Sequence, residues 1–175
     1  MKIWIVYDSK FGNNKKVVQK MQKLLSKNHE VHVDYAKKIS PKKVLAASPE
    51  IFLFGGPRRI GKISKTLRKW VERFSKLLNT NNFQLEKVGA WETRAEMKEE
   101  DAQSESGIER RIYEANLNLG EKWTELIISF PVKKKPLDLL SLIIVGMEGG
   151  VLKDGRLEEN AMEKISDFIE RFEKS

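Results

Sequence analysis

The stretch IVYDSKFGNNKKVV, Ile5 to Val18, changes period in its middle. Upstream, Lys2 to Tyr7 is β-branched and aromatic and continuously apolar from Ile3 to Tyr7. That is the pattern of a strand buried on both faces of a parallel sheet. Downstream, Val17, Val18, Met21, Leu24 and Leu25 recur at helical spacing with lysines between them, and Asn28 ends the run. Asp8 to Asn13 therefore form a strand-to-helix turn. A helix N-terminus aims unpaired N–H groups and the positive end of its dipole into such a turn, which favours an anion there. Gly12 permits left-handed or close-approach backbone. Ser9 and the amides of Asn13 and Asn14 are donors, and Lys10, Lys15 and Lys16 add positive charge. An ordinary βα turn without a ligand accounts for the same residues, and the turn alone leaves both readings open.

Outward from this unit, strands and helices alternate. Glu30 to Tyr35 reads as a second strand, and Pro41 opens a helix over Lys42 to Ala47. Glu50 to Phe54 reads as a third strand, stopped by Gly55, Gly56 and Pro57. A long helix follows, with Leu67, Trp70, Val71, Phe74, Leu77 and Leu78 on one face. Leu85 to Trp91 is a fourth strand, and Thr93 to Gly107 is a long polar loop. Ile108, Ile112, Ala115 and Leu119 mark a fourth helix, Glu125 to Phe130 a fifth strand, and Leu157 to Phe172 a closing amphipathic helix. Leu139 to Val145 is a further buried run, either an extension of the fifth strand or an edge hairpin. Such alternation predicts a single α/β domain over residues 1–175, a three-layer, doubly wound parallel sheet. With five strands the leading order is 2-1-3-4-5, with the ligand site at the carboxyl ends of strands 1 and 3.

Composition bounds the function. The 175 residues suit one core. No apolar run approaches the roughly 20 residues of a membrane span, and the N-terminus lacks a cleavage site, so no membrane role is expected. The chain has no cysteine, which removes disulfides and thiolate chemistry and suits a reducing, cytoplasmic setting. A net charge of +8 favours anionic partners, although a lysine- and glutamate-rich composition of the kind heat selects gives the same balance.

Other motifs explain less. Gly56 to Lys62 matches the opening of a P-loop, but Ile63 stands where a Ser or Thr must hold Mg²⁺. The third-strand turn explains those glycines better. His29 and His32 fall on opposite faces around a strand and cannot share one ion. Glu99, Glu100 and Asp101 read as a solvated loop or helix start, and the four tryptophans as packing residues. No aromatics interleave with the basic residues as nucleic-acid binding requires.

Three segments in this order resemble the flavodoxin-like family. IVYDSKFGNNKKVV is similar to its first strand and phosphate loop. IFLFGGPRRIGKISKTLRKWVERF, Ile51 to Phe74, resembles its third strand, a loop bordering the flavin ring, and the next helix. VGAWETRAE, Val88 to Glu96, resembles the fourth strand and the second ring-bordering loop. A fourth segment, EGGVLKDGRLEENA, Glu148 to Ala161, is similar to a glycine-rich segment before the last helix in some members. The resemblance implies FMN as cofactor and an electron-transfer flavoprotein or FMN-dependent oxidoreductase. It places Ser9, Lys10, Phe11, Gly12, Asn13 and Asn14 at the phosphate. Pro57, Arg58 and Arg59 border the ring on one side, and Glu92, Thr93 and Arg94 on the other. The chain departs from the family where Phe11 and Asn14 replace hydroxyl residues and where neither ring loop holds an aromatic. Family electron carriers are commonly acidic and this chain is basic, so its redox partner is expected to be acidic at the contact. The alternative is a domain of this fold that has lost FMN and serves as a binding or interaction module.

Overall fold

The computed structural model describes residues 1–10, 12–59, 62–95, 123–130 and 160–174. Strands β1 (Lys2–Tyr7) and β2 (Glu30–Tyr35) and helix α1 (Asn13–Leu25) follow the sequence periods. Helix α2 spans Pro41–Ala46 and helix α3 Lys65–Thr80. Strand β3 is Ile51–Arg59, β4 is Lys62–Ile63, β5 is Lys87–Ala95 and β6 is Trp123–Phe130; helix α4 (Ala161–Lys174) closes the chain. Four parallel strands stand in the order β2-β1-β3-β5, with Ile5 paired to Val33 on one side and Leu53 on the other. The backbone of β6 pairs parallel with β5, from Val88–Trp123 to Ala95–Phe130.

Strict alternation divides the apolar side chains between the two faces. Trp4, Val6, Phe52, Phe54, Val88 and Ala90 pack against Val44 of α2 and Leu67, Trp70, Val71 and Phe74 of α3. Ile3, Ile5, Ile51, Leu53 and Trp91 face the other way, onto Val17, Val18 and Met21 of α1 and Ile165, Phe168 and Phe172 of α4. Helices on both faces of a parallel sheet give the three layers.

Two strands run well past the ends read from the sequence. The third strand does not stop at Gly55 but runs through Gly56 and Pro57 to Arg59, where it folds back onto β4. Gly55 turns its carbonyl toward β1 and accepts the Asp8 N–H at 3.0 Å. Two residues on, Pro57 faces the same edge, beyond the last β1–β3 pair at Tyr7–Gly55. The proline lacks an N–H only where no ladder partner stands. The fourth strand likewise continues past Trp91 to Ala95, so Glu92, Thr93 and Arg94 are strand residues and not loop residues. Pairs Gly56–Glu92 and Pro57–Thr93 hold both extensions. With Gly56 to Arg59 in a strand, the P-loop reading falls. The expected helix from Ile108 to Leu119, the run Leu139 to Val145 and the segment Glu148 to Ala161 up to residue 159 lie outside the described residues. Among the described residues, no helix is long and apolar enough to cross a membrane.

Candidate functional site

The turn after β1 arrives at α1 through Gly12, whose φ of 88° lies in the left-handed region that glycine adopts without a side-chain penalty. The first helical hydrogen bond runs from Lys16 N to Gly12 O at 3.1 Å. The N–H groups of Asn13, Asn14 and Lys15 precede it, and among the described residues no side chain caps them. Helices α2 and α3, in contrast, are capped by Ser40 and Ser64, whose hydroxyl oxygens accept from Lys43 N and Leu67 N, each at 3.3 Å. Ser9 does not cap α1. Its Oγ accepts the Gly12 N–H at 3.2 Å and braces the turn, leaving its own O–H to donate. Lys10, Lys15 and Lys16 are exposed around the bend. Phe11 lies outside the described residues.

Asn13 and Asn14 are both buried, with different partners. The Asn14 carboxamide spans α1 and β5: its Nδ2 donates to Thr93 Oγ1 at 2.8 Å, and its Oδ1 accepts from Trp91 Nε1 at 2.9 Å. All three side chains are essentially inaccessible. The sequence placed Asn14 as a phosphate donor and Thr93 at the ring. The structure brings their side chains together as one buried unit, leaving Asn14 only its backbone N–H to offer. Asn13 is 7% exposed, and among the described residues its buried Oδ1 has no hydrogen-bond donor. Trp91 lies against Gly55, where an added Cβ would collide with the indole ring and the Trp91 carbonyl. No sequence signal marked this Trp91–Asn14–Thr93 unit, because its members come together only when β5 lies beside β3.

A second group sits beside the turn on β2. The Tyr35 hydroxyl donates to Ser9 O at 3.4 Å, tying the bend to its neighbouring strand. Burial, followed by the hydrogen bond and charge of Asp8, pushes the Tyr35 phenol up to about 12. Tyr7 is also raised, first by burial and then by the charge of Asp34.

The remaining sequence-designated residues reach the same end of the sheet. Pro57 pairs with Thr93, and Arg58 and Arg59 form the β3–β4 hairpin opposite Ile63 and Lys62. Glu92 is fully buried and pairs with Gly56. Arg94 is a β5 backbone position opposite Ser129. His32 stacks on Trp4 with ring centroids 4.5 Å apart, and His29 meets Glu173 of α4 at 3.2 Å. Among the described residues no group of side chains is arranged to hold a metal ion.

No protein-family model and no curated protein sequence matches the chain. Its fold does match solved structures. A flavodoxin of Streptococcus pneumoniae TIGR4 superposes with a TM-score of 0.61 at 14% identity, covering 98% of this chain and 97% of that one. Oxidised flavodoxin 2 of Bacillus cereus gives 0.59 at 17% identity, covering 99% of each chain. Rubredoxin oxygen:oxidoreductase of Desulfovibrio gigas gives 0.56 at 11% identity over 99% of this chain and 36% of that longer one. With this strand order and these neighbours across nearly its whole length, the chain has a flavodoxin-like fold.

Proposed function

We propose that this chain binds FMN and serves as a redox protein, its sheet completed to five parallel strands in the order 2-1-3-4-5 by β6. The observation that carries the reading is the uncapped start of α1. Three backbone N–H groups follow a left-handed glycine, with exposed lysines around them. A phosphate dianion supplies the acceptor that Ser40 and Ser64 supply to α2 and α3. The buried Asn13 Oδ1 lacks a donor, and the ribityl hydroxyls of FMN bring donors, so the turn fits the group.

The phosphate would be held by the N–H groups of Asn13, Asn14 and Lys15, the Ser9 hydroxyl, and the charges of Lys10, Lys15 and Lys16. The Trp91–Asn14–Thr93 unit keeps the start of α1 at a set distance from the end of β5. By sequence position, Arg58, Arg59 and Arg94 would border the ring, where a guanidinium favours negative charge. Bound FMN would supply electron or hydride transfer through its isoalloxazine. A redox partner is then acidic at its contact, to match the net charge of +8.

A specific observation favours a second reading, a flavodoxin-like binding module without flavin. The Asn14 side chain is fully engaged inside the protein, and Trp91, next to Glu92 in β5, is wholly buried. Absorbance of the purified protein in the near-ultraviolet and blue, with an FMN titration followed by flavin fluorescence quenching, decides between them. A yellow protein, or quenching at micromolar FMN, is expected. Absence of both rejects the flavin reading in favour of the module.

A further inference from the structure

Away from the phosphate turn, the β2–α2 turn and one side of α3 flank an open cleft of about 570 Å³. That volume lies within the roughly 300–1,000 Å³ typical of small-molecule sites. Lys37 and Lys38 line one wall, and Lys69 and Arg73 the other. Among the described residues no carboxylate lines it. All four cations are exposed, and among the described residues none forms an ion pair. Lys69 and Arg73 stand four residues apart on α3, a like-charge spacing that disfavours a helix. The neighbouring Arg68 follows the opposite rule and meets Glu72 at 3.9 Å.

The two walls are held to each other. Trp70 donates its indole N–H to Ile39 O at 2.7 Å, joining α3 to the turn beneath the four cations. The turn itself is tight, with Lys38 N and Ile39 N both bonded to Tyr35 O. Ser40, also in the lining, accepts from Lys43 N and keeps its hydroxyl proton to donate. A concavity with positive charge on opposite walls suits a ligand with two adjacent anionic centres, one for each wall.

We infer that this cleft is a second anion site, separate from the turn at α1, which takes a small molecule carrying a diphosphate group. It does not depend on FMN binding. Inorganic pyrophosphate is the probe, and two indole N–H resonances of ¹⁵N-labelled full-length protein distinguish the places it can go. Trp70 Nε1–H reports on the cleft, and Trp91 Nε1–H, bonded to Asn14, reports on the turn. Trp70 is expected to shift saturably with pyrophosphate. The double variant Lys69→Gln, Arg73→Gln should weaken that response about tenfold or more, as the loss of two charge-assisted contacts implies. Because both residues are exposed, the fold should survive, and an unchanged Trp91 response verifies it. The pair Lys23→Gln, Lys27→Gln on and after α1 removes the same charge elsewhere and should leave Trp70 nearly unaffected. A silent Trp70, equal binding in the double variant, or equal loss in the α1 control overturns the site. Equal affinity for orthophosphate overturns the diphosphate assignment.

Discussion

Asn14 makes two buried hydrogen bonds from one carboxamide, so its removal leaves two buried groups without partners. Asn14→Ala strands the Trp91 indole N–H and the Thr93 hydroxyl in a closed interior. Each such group costs about 1–3 kcal/mol, and a loss near 3 kcal/mol is expected, read as a lower urea midpoint with an unchanged slope. A wild-type midpoint would mean that these bonds contribute nothing net. Tyr35 makes stability depend on pH. Its folded value of about 12 exceeds the ordinary tyrosine value of 10.0. The fold therefore prefers the neutral phenol. That contribution is complete below pH 10 and is lost as the pH climbs from 10 toward 12. Phenolate absorbance should show Tyr7 and Tyr35 ionising later than free tyrosine, with Tyr35 moving back down in Asp8→Asn. A normal titration for both would contradict the placement of Asp8 beside Tyr35.

At the level of elements, the starts of α1, α2 and α3 divide by what satisfies them. The Ser40 and Ser64 caps make α2 and α3 self-sufficient at their N-termini, whereas α1 begins on glycine. Ser64→Ala should cost about 1 kcal/mol, the usual value of an N-cap, measured by chemical denaturation and insensitive to added phosphate. The extended strands are an element-scale effect too. Neither Gly55-Gly56-Pro57 nor Glu92-Thr93-Arg94 favours a strand alone. They are strand because each supplies the other's ladder, Gly56 to Glu92 and Pro57 to Thr93, while Pro57 faces the vacant side.

For the whole molecule, a ligand that binds only the folded state stabilises it in proportion to its excess over Kd. FMN at a hundredfold excess adds about 2.7 kcal/mol, which for a chain of this size raises Tm by about 5–10 °C. Riboflavin, which lacks the phosphate, should raise it much less, because the uncapped α1 amides then gain no anion. An equal shift with both would move the binding energy from the turn to the ring, and no shift with either would favour the module without flavin.

The alternation of buried strands with amphipathic helices was written in local periods, and those periods alone determined the α/β class, β1, β2, α1 and α3. Gly12 was legible as well, since a left-handed residue at a strand-to-helix turn is a local requirement that only glycine meets cheaply. The tertiary structure decided how far β3 and β5 extend, because ladder bonds are made between segments distant in sequence. It also decided the fate of Asn14. By type and position that side chain suits a phosphate, but an indole and a hydroxyl from β5 reach it first, and a buried carboxamide bonds the partners that packing places beside it.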